Sequence, residues 1–286
     1  MPRSPYVYAL SSVLLWSTVA SAFKISLRYL SPTGLLFYSS LTSLCVLFLV
    51  LLVERRLGFI KDLGAPEISK YALFGLLNPF LYYSVLFRAY DILPAQEAQP
   101  LNYTWQIVLS LMSVLILKQK VRAKTWMGII IAFSGVVMIS SRGSFTSFSE
   151  LSGVALALGS AFIWASFWIL NMKERRDPVE KLFLSFLFGT AYIGILYLFI
   201  SPSPPPTDGL AGAIYVGLFE MGLTFILWLK ALESAESAAR ISMLIYLSPF
   251  LSFVMINFFV GEKILISTVL GTLMIVSGIL MDNAGR

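Results

Sequence analysis

Ten apolar stretches of about 20 residues each follow one another along the chain, separated by mostly short polar connections. They cover 5–28, 32–53, 68–90, 93–117, 123–141, 151–172, 178–200, 209–231, 237–260 and 264–282. A backbone crossing hydrocarbon must satisfy its own hydrogen bonds, and segments of this length do so as helices. Short connections make consecutive helices antiparallel neighbours, so the runs predict a compact all-α bundle of ten transmembrane helices. Composition agrees. Of 286 residues, 58% are hydrophobic and 13% are charged, about half the charge of an ordinary soluble domain. The first run, from near Pro5, is longer than the apolar region of a signal peptide and is read as a retained helix.

Two connections differ from the rest. Residues 54–67 (ERRLGFIKDLGAPE) are long enough for a short interfacial helix. Residues 201–208 (SPSPPPTD) are too proline-rich to be helical and predict a stiff extended loop.

Lysine and arginine set the expected orientation. With ten spans both termini share a side. That side carries 16 of the 21 basic residues: Arg3, Arg55, Arg56, Lys61, Lys70, Lys118, Lys120, Arg122, Lys124, Lys173, Arg175, Arg176, Lys181, Lys230, Arg240 and Arg286. The other side carries five: Lys24, Arg28, Arg88, Arg142 and Lys263. Both termini are therefore expected in the cytoplasm, with the chain in the cytoplasmic (inner) membrane. The net charge of +6 is spread over short loops rather than gathered on a folded domain, which argues against nucleic acid. Cys45 is the lone cysteine and there is no histidine, so neither an internal disulfide nor a Cys/His metal site is available. Cys45 is expected to face lipid or pack between helices.

The two halves of the chain resemble each other, which divides it at 1–143 and 144–286. LLWSTVASAF (14–23) precedes FIWASFWILN (162–171) by 148 residues, aligning Trp16 with Trp164. FGLLNPFLYYSVLFRAY (74–90) precedes VGLFEMGLTFILWLKAL (216–232) by 142, setting Asn78 against Glu220. KQKVRAKTWMGIIIAFSGVVM (118–138) precedes GEKILISTVLGTLMIVSGILM (261–281) by 143, pairing Gly128 with Gly271 and Gly135 with Gly278. Three collinear segments make a repeat. Each half holds five helices, and an odd number inserts the second half upside down. Inverted repeats are the architecture of many secondary transporters.

The chain resembles the drug/metabolite transporter superfamily, and its EamA-type members in particular. The resemblance rests on the tryptophan in the first helix of each half (LLWS, FIWAS), on Lys230-Ala231-Leu232 followed by the small residues Ser234–Ala239, on Ser248-Pro249, and on Gly261-Glu262 before the last helix. Gln106 and Gln119 depart from it, standing where family members often carry proline and glutamate. The resemblance implies a transporter whose first, third, fourth, sixth, eighth and ninth helices line a central pathway.

Polar groups in the bilayer core are costly and are expected to face the bundle interior. Gln96, Gln99, Tyr103, Gln106, Ser110 and Ser113 recur every three or four residues on one face of the fourth helix. Ser242, Tyr246, Pro249 and Phe253 do the same on the ninth. Glu220 lies about midway along the eighth run, and its face continues as Gly217 and Thr224. Hydrocarbon disfavours the charged form of an unpaired carboxylate, so Glu220 is a candidate for proton or cation coupling. Trp16, Tyr82, Trp164 and Trp168 add an aromatic wall if they point inward, and such a wall with one acid suits organic cations. The candidate substrate-binding set is Trp16, Asn78, Tyr82, Gln99, Tyr103, Trp164, Trp168, Glu220 and Tyr246. Hydrogen bonding between helices uses the same residue types and is the competing reading. Glu97, near its helix end, is expected to pair with Arg88 at the surface. Lys24, Lys230 and Arg240 are placed to snorkel. The glycines at 128, 135, 271 and 278 predict close helix packing.

Walker A sequences, paired loop carboxylates and nucleophile–base arrangements are missing, and the polar segments are too short for a nucleotide-binding domain. No cofactor is expected. The sequence thus points to a secondary active transporter of a small organic metabolite, an amino acid or related compound moved outward by alternating access around a midplane cavity. Three alternatives stay open: an importer of a quaternary amine such as choline, a membrane enzyme acting on lipid-linked substrate, and a small channel. The expected partners are the small-molecule substrate and the bilayer, and a homodimer is left open.

Overall fold

A computed structural model of the chain describes residues 4–117, 123–144, 149–172, 174–200, 204–236, 241 and 243–283. Arg3, Lys118, Gln119, Lys120, Arg122, Lys173, Ser237, Ala238, Ala239, Arg240, Ser242 and Arg286, all used above, lie outside them, as do 201–203 of the proline-rich loop. So do the side chains of Ser110 and Ser113.

The regular structure among the described residues is helical: α1 Pro5–Ser26, α2 Pro32–Val53, α3 Ala65–Gly75, α4 Tyr82–Ile92, α5 Ala95–Tyr103, α6 Trp105–Leu117, α7 Ala123–Ser140, α8 Leu151–Met172, α9 Pro178–Ile200, α10 Thr207–Phe219, α11 Leu223–Glu233, α12 Ser248–Met255 and α13 Ile266–Asn283. A 3₁₀ turn at Leu57–Asp62 occupies the connection expected to be interfacial. Six helical stretches among these residues are long and apolar enough to cross a bilayer: Pro5–Ser26, Pro32–Val53, Ala65–Ile92, Leu151–Met172, Pro178–Ile200 and Thr207–Glu233. Trp126–Ser140, Leu244–Val260 and Ile266–Met281 are shorter apolar helices. The run expected at 93–117 is divided by a turn at Thr104.

Local chemistry sets the helix starts. Pro5 and Pro32 sit in the first turns of α1 and α2, where a missing N–H costs nothing. Ser31 Oγ accepts the Gly34 N–H at 3.1 Å. Glu67 reaches back to accept the Gly64 N–H at 3.3 Å, ahead of Pro66. Gly261, in the left-handed region at φ 81°, closes the turn that follows Ile256–Val260.

The chain divides into two compact units that do not follow the halves of the sequence. Unit 1 holds residues 1–84 and 175–252; unit 2 holds 85–174 and 253–286. In unit 1, α1 packs on α10 and α11, α2 on α9 and α10, and α3 on α9. Gly75 and Gly189 bring α3 and α9 together: a Cβ on Gly75 would lie 2.5 Å from the Ser185 carbonyl oxygen. In unit 2, α7 runs along α13, and α8 packs on α5 and α6. A Cβ on Gly135 would lie 2.5 Å from Gly271 O, and one on Gly278 2.3 Å from Gly128 O. The four glycines therefore set the α7–α13 spacing. Exposed aliphatic and aromatic side chains, among them Phe133, Ile195, Leu198 and Phe199, clothe the outer faces as in a lipid-facing surface.

Candidate functional site

The third and eighth apolar runs are both interrupted near their middles, at Asn78 and at Glu220–Gly222. In the third, Asn78 leaves the helical region (φ −144°, ψ 119°) ahead of Pro79. The residue before a proline is pushed towards extended backbone, and the proline has no N–H to continue the ladder. In the eighth, α10 ends at Phe219, Glu220 caps it, and Gly222 (φ −115°, ψ −99°) precedes α11.

An interrupted helix frees backbone groups that hydrocarbon cannot satisfy. Neighbouring hydroxyls in unit 1 take up those of the eighth run. Ser43 Oγ on α2 donates to Met221 O at 2.8 Å, and Thr224 Oγ1 donates to Phe219 O at 2.5 Å. Ser12 Oγ on α1 donates to Tyr8 O at 3.0 Å and also lies 3.4 Å from the Thr224 carbonyl in the first turn of α11. Gly217 lets α10 lie against α2, since a Cβ there would stand 2.5 Å from Ser39 O. Gly217 and Thr224 thus serve the break and its packing rather than a polar lining.

Glu220 is partly buried, and Tyr83 Oη donates to its Oε1 at 3.1 Å. The bond joins the start of α4, just past the first interruption, to the end of α10, where the second begins. Sequence reasoning chose Tyr82, whose buried ring instead meets that of Tyr83 edge-on at 4.6 Å. The signal for Tyr83 was there: it falls a little over one turn past the Asn-Pro break. Asn78 itself is 1% exposed, and its Oδ1 has no hydrogen-bond partner among the described residues. Trp16 stands 5.5 Å, centroid to centroid, from both Phe225 and Trp228, and so forms an aromatic cluster of α1 with α11. Tyr246 is buried in the 3₁₀ turn Leu244–Leu247.

Unit 2 holds the other four candidates. Trp164 and Trp168 on α8 cluster with Trp105 at the start of α6. Trp105 stacks on Trp168 at 6.3 Å and meets Trp164 edge-on at 6.4 Å. Gln99 is 6% exposed, and its Oε1 has no partner among the described residues; neither has Trp168 Nε1. One is an acceptor and the other a donor. Tyr103 ends α5 and is partly buried. Gln96, placed on the same face, is committed elsewhere: its Nε2 donates to Lys263 O at 2.9 Å and its Oε1 accepts the Leu265 N–H at 2.8 Å. It holds the turn before α13. Asn102 Nδ2 donates to Ser160 Oγ at 2.8 Å, a helix-to-helix bond that sequence reasoning did not single out.

The Glu97 expectation is corrected. Arg88 pairs with Asp91 on the next turn of its own helix, whereas Glu97, 1% exposed, accepts from Arg142 Nε at 2.8 Å and Ser149 Oγ at 2.6 Å. Burial is the reason: an interior carboxylate needs a charged partner, and the segment after α7 supplies one. Glu262 completes this end of unit 2 by accepting the Ala95 and Gln96 N–H groups at 2.9 and 3.1 Å, a carboxylate on the N-terminus of α5. Cys45 is exposed on α2 and Lys230 on the last turn of α11.

Helices interrupted near the middle of an apolar run, with a buried unpartnered amide at one break, are the architecture of many secondary transporters. Comparison with known proteins agrees. The model of the EamA-like transporter family matches residues 3–141 and again 151–283. The chain belongs to the EamA-like transporter family. It is 24% identical over 282 residues to an uncharacterized transporter of Archaeoglobus fulgidus, covering 96% of this chain and 95% of that one. It is 26% identical over 279 residues to an uncharacterized transporter of Bacillus subtilis, covering 95% and 88%. It is 25% identical over 298 residues to an uncharacterized inner membrane transporter of Escherichia coli K12, covering 97% and 90%. One crystal structure aligns with a TM-score of 0.70 at 21% identity, covering 99% of this chain and 98% of its own.

Proposed function

We propose that the protein is a secondary carrier of a small organic metabolite, an amino acid or related compound moved outward, working by alternating access around a midplane cavity. It crosses the inner membrane ten times as two inverted five-helix repeats, 1–143 and 144–286, with both termini in the cytoplasm. The two successive matches to one family model support the repeat, and the distribution of lysine and arginine supports the orientation.

The observation that carries the reading is the set of polar atoms left without partners. Asn78 Oδ1, Gln99 Oε1 and Trp168 Nε1 are buried and unbonded among the described residues, although each was singled out from sequence as a substrate contact. A buried polar group without a partner costs about 1–3 kcal/mol, and a substrate that bonds it in passing recovers that cost. In this reading the aromatic clusters about Trp16, Trp164 and Trp168 shape the path, Tyr103 and Tyr246 stand at corresponding points of the repeat, and Tyr82 packs Tyr83 into place. Glu220, held by Tyr83, carries the coupling proton or cation.

The test is a panel of amino acids and amines in proteoliposomes, with and without a pH gradient. Saturable counterflow of one compound class is the expected result. Flux that rises linearly with concentration and shows no counterflow would remove the carrier in favour of a channel.

A further inference from the structure

The short helix α5 buries polar side chains: Gln96, Glu97, Gln99 and Asn102 are each at most 9% exposed. Its first turn has only Ala95 and Ala98 as apolar side chains, and hydrogen bonds hold it. Glu262 accepts the Ala95 and Gln96 N–H groups, and the Gln96 side chain bonds Lys263 O and the Leu265 N–H. Glu97 accepts from Arg142 and Ser149. We propose that Glu97 and Glu262 are positioning residues, which latch the first turn of α5 to the α7–α13 pair and so keep Gln99, about one turn further on, buried. The bearing of this latch on transport rests on the substrate reading of Gln99 given above; the latch itself does not.

The frame is close-packed. Gly128, Gly135, Gly271 and Gly278 set the α7–α13 spacing, and the segments that hold α5 leave from one end of that pair: a Cβ on Gly143 would stand 3.3 Å from Ser267 Cβ in the first turn of α13. The partners are aimed. Arg142 (φ 50°) and Gly143 (φ 75°) are both left-handed, which turns the chain sharply after α7 and sets Arg142 against Glu97. On the other side Gly261 (φ 81°) turns the chain ahead of Glu262, and Asn257 Nδ2 donates to Glu262 O at 2.9 Å. The latched segment is separable. A turn at Thr104 divides α5 from α6, and Pro100 has no N–H to donate to Gln96 O. Water also reaches the latch, since the Arg142 side chain is 41% exposed and Glu262 is half-buried. Water can replace these hydrogen bonds at a small net cost, and it offers no such substitute for the apolar packing of α7 on α13. The first turn of α5 is therefore set to open before the α7–α13 pair does.

The experiment is N-ethylmaleimide labelling of the purified full chain in detergent, in a Cys45→Ser background carrying Gln99→Cys or, as a control, Ala165→Cys. Ala165 is buried where α8 packs on α6. The thiolate is the reactive form, so the labelling rate reports water at that position. Glu262→Ala should speed labelling of Gln99→Cys about tenfold, the worth of one to two hydrogen bonds, and leave that of Ala165→Cys unchanged. Glu262→Gln, which keeps one acceptor oxygen, should fall between. An unchanged rate at position 99, or an equal rise at position 165, would overturn the assignment. Hydrogen exchange of the unsubstituted chain is the second measure. The amides of 95–97 should exchange ahead of those of α7 and α13, and equal protection would overturn it as well. Neither measure uses a substrate, so failure of the latch and failure of the substrate reading of Gln99 are told apart.

Discussion

Tyr83 Oη donates a 3.1 Å hydrogen bond to Glu220 Oε1; Tyr83 stands just past the interruption of its spanning helix, and Glu220 at the start of the interruption in its own. The bond fixes one carboxylate oxygen and leaves the other oxygen's lone pairs to a proton, a cation or a substrate amine. Two helix breaks joined by one titratable group are well placed to couple protonation to movement, because a broken helix can turn about its break without disturbing the turns on either side. Predictions follow from this arrangement and from the packing around it.

Gly222 lies at the eighth-helix break, and a Cβ there would meet Gly217 O at 2.9 Å and Leu218 O at 3.3 Å. Both are backbone atoms and cannot swing aside. Gly222→Ala should lower thermal stability by about 1–3 kcal/mol, the usual penalty of overpacking, read by thermal unfolding in detergent. A variant as stable as wild type would mean that the break relaxes freely.

Gln99→Leu and Trp168→Phe each remove a buried polar atom that has no partner among the described residues. A purely structural role predicts neutral or slightly raised stability and nothing else. The transport reading predicts the same stability together with a KM raised roughly two- to tenfold, the worth of one hydrogen bond. Unchanged KM in both variants would remove these atoms from the substrate path.

Arg142→Ala leaves the buried Glu97 carboxylate with Ser149 as its hydrogen-bond partner among the described residues. Glu97→Gln removes the charge and keeps hydrogen-bonding capacity. Arg142→Ala should therefore be the more damaging single change, by about 1–3 kcal/mol, and Glu97→Gln should partly rescue it in the double variant. Additive losses would mean that the two residues act independently.

Orientation is tested by a cysteine at Pro204 in a Cys45→Ser background. A membrane-impermeant thiol reagent should label it from outside intact cells. Labelling only after the cytoplasmic face is opened would reverse the topology.

Helix positions were legible wherever a run of apolar residues is uniform. The runs expected at 32–53, 151–172 and 178–200 match α2, α8 and α9 in both bounds. Interruptions were not, because hydropathy reports side chains while a break is a backbone event. Leu76, Leu77, Phe80 and Leu81 keep the third run apolar straight through the kink at Asn78. The Asn78-Pro79 pair was the readable warning. Glu97 was misassigned for a related reason. Nearness in sequence proposed Arg88, while tertiary packing brings up Arg142, 45 positions away. At the site, Asn78, Gln99 and Glu220 could be chosen from sequence because polar residues inside apolar runs are conspicuous. Tyr83 was marked only by its place about one turn past the Asn-Pro break, a place that Tyr82 shares.

The most direct measurement compares wild type, Glu220→Gln and Tyr83→Phe in proteoliposomes, scoring substrate counterflow and accumulation driven by a pH gradient side by side. If Glu220 is the coupling group, Glu220→Gln retains saturable counterflow and loses gradient-driven accumulation, while Tyr83→Phe keeps both and shifts the pH at which accumulation is half-maximal. Accumulation by Glu220→Gln equal to wild type, with the same pH dependence, would contradict the account.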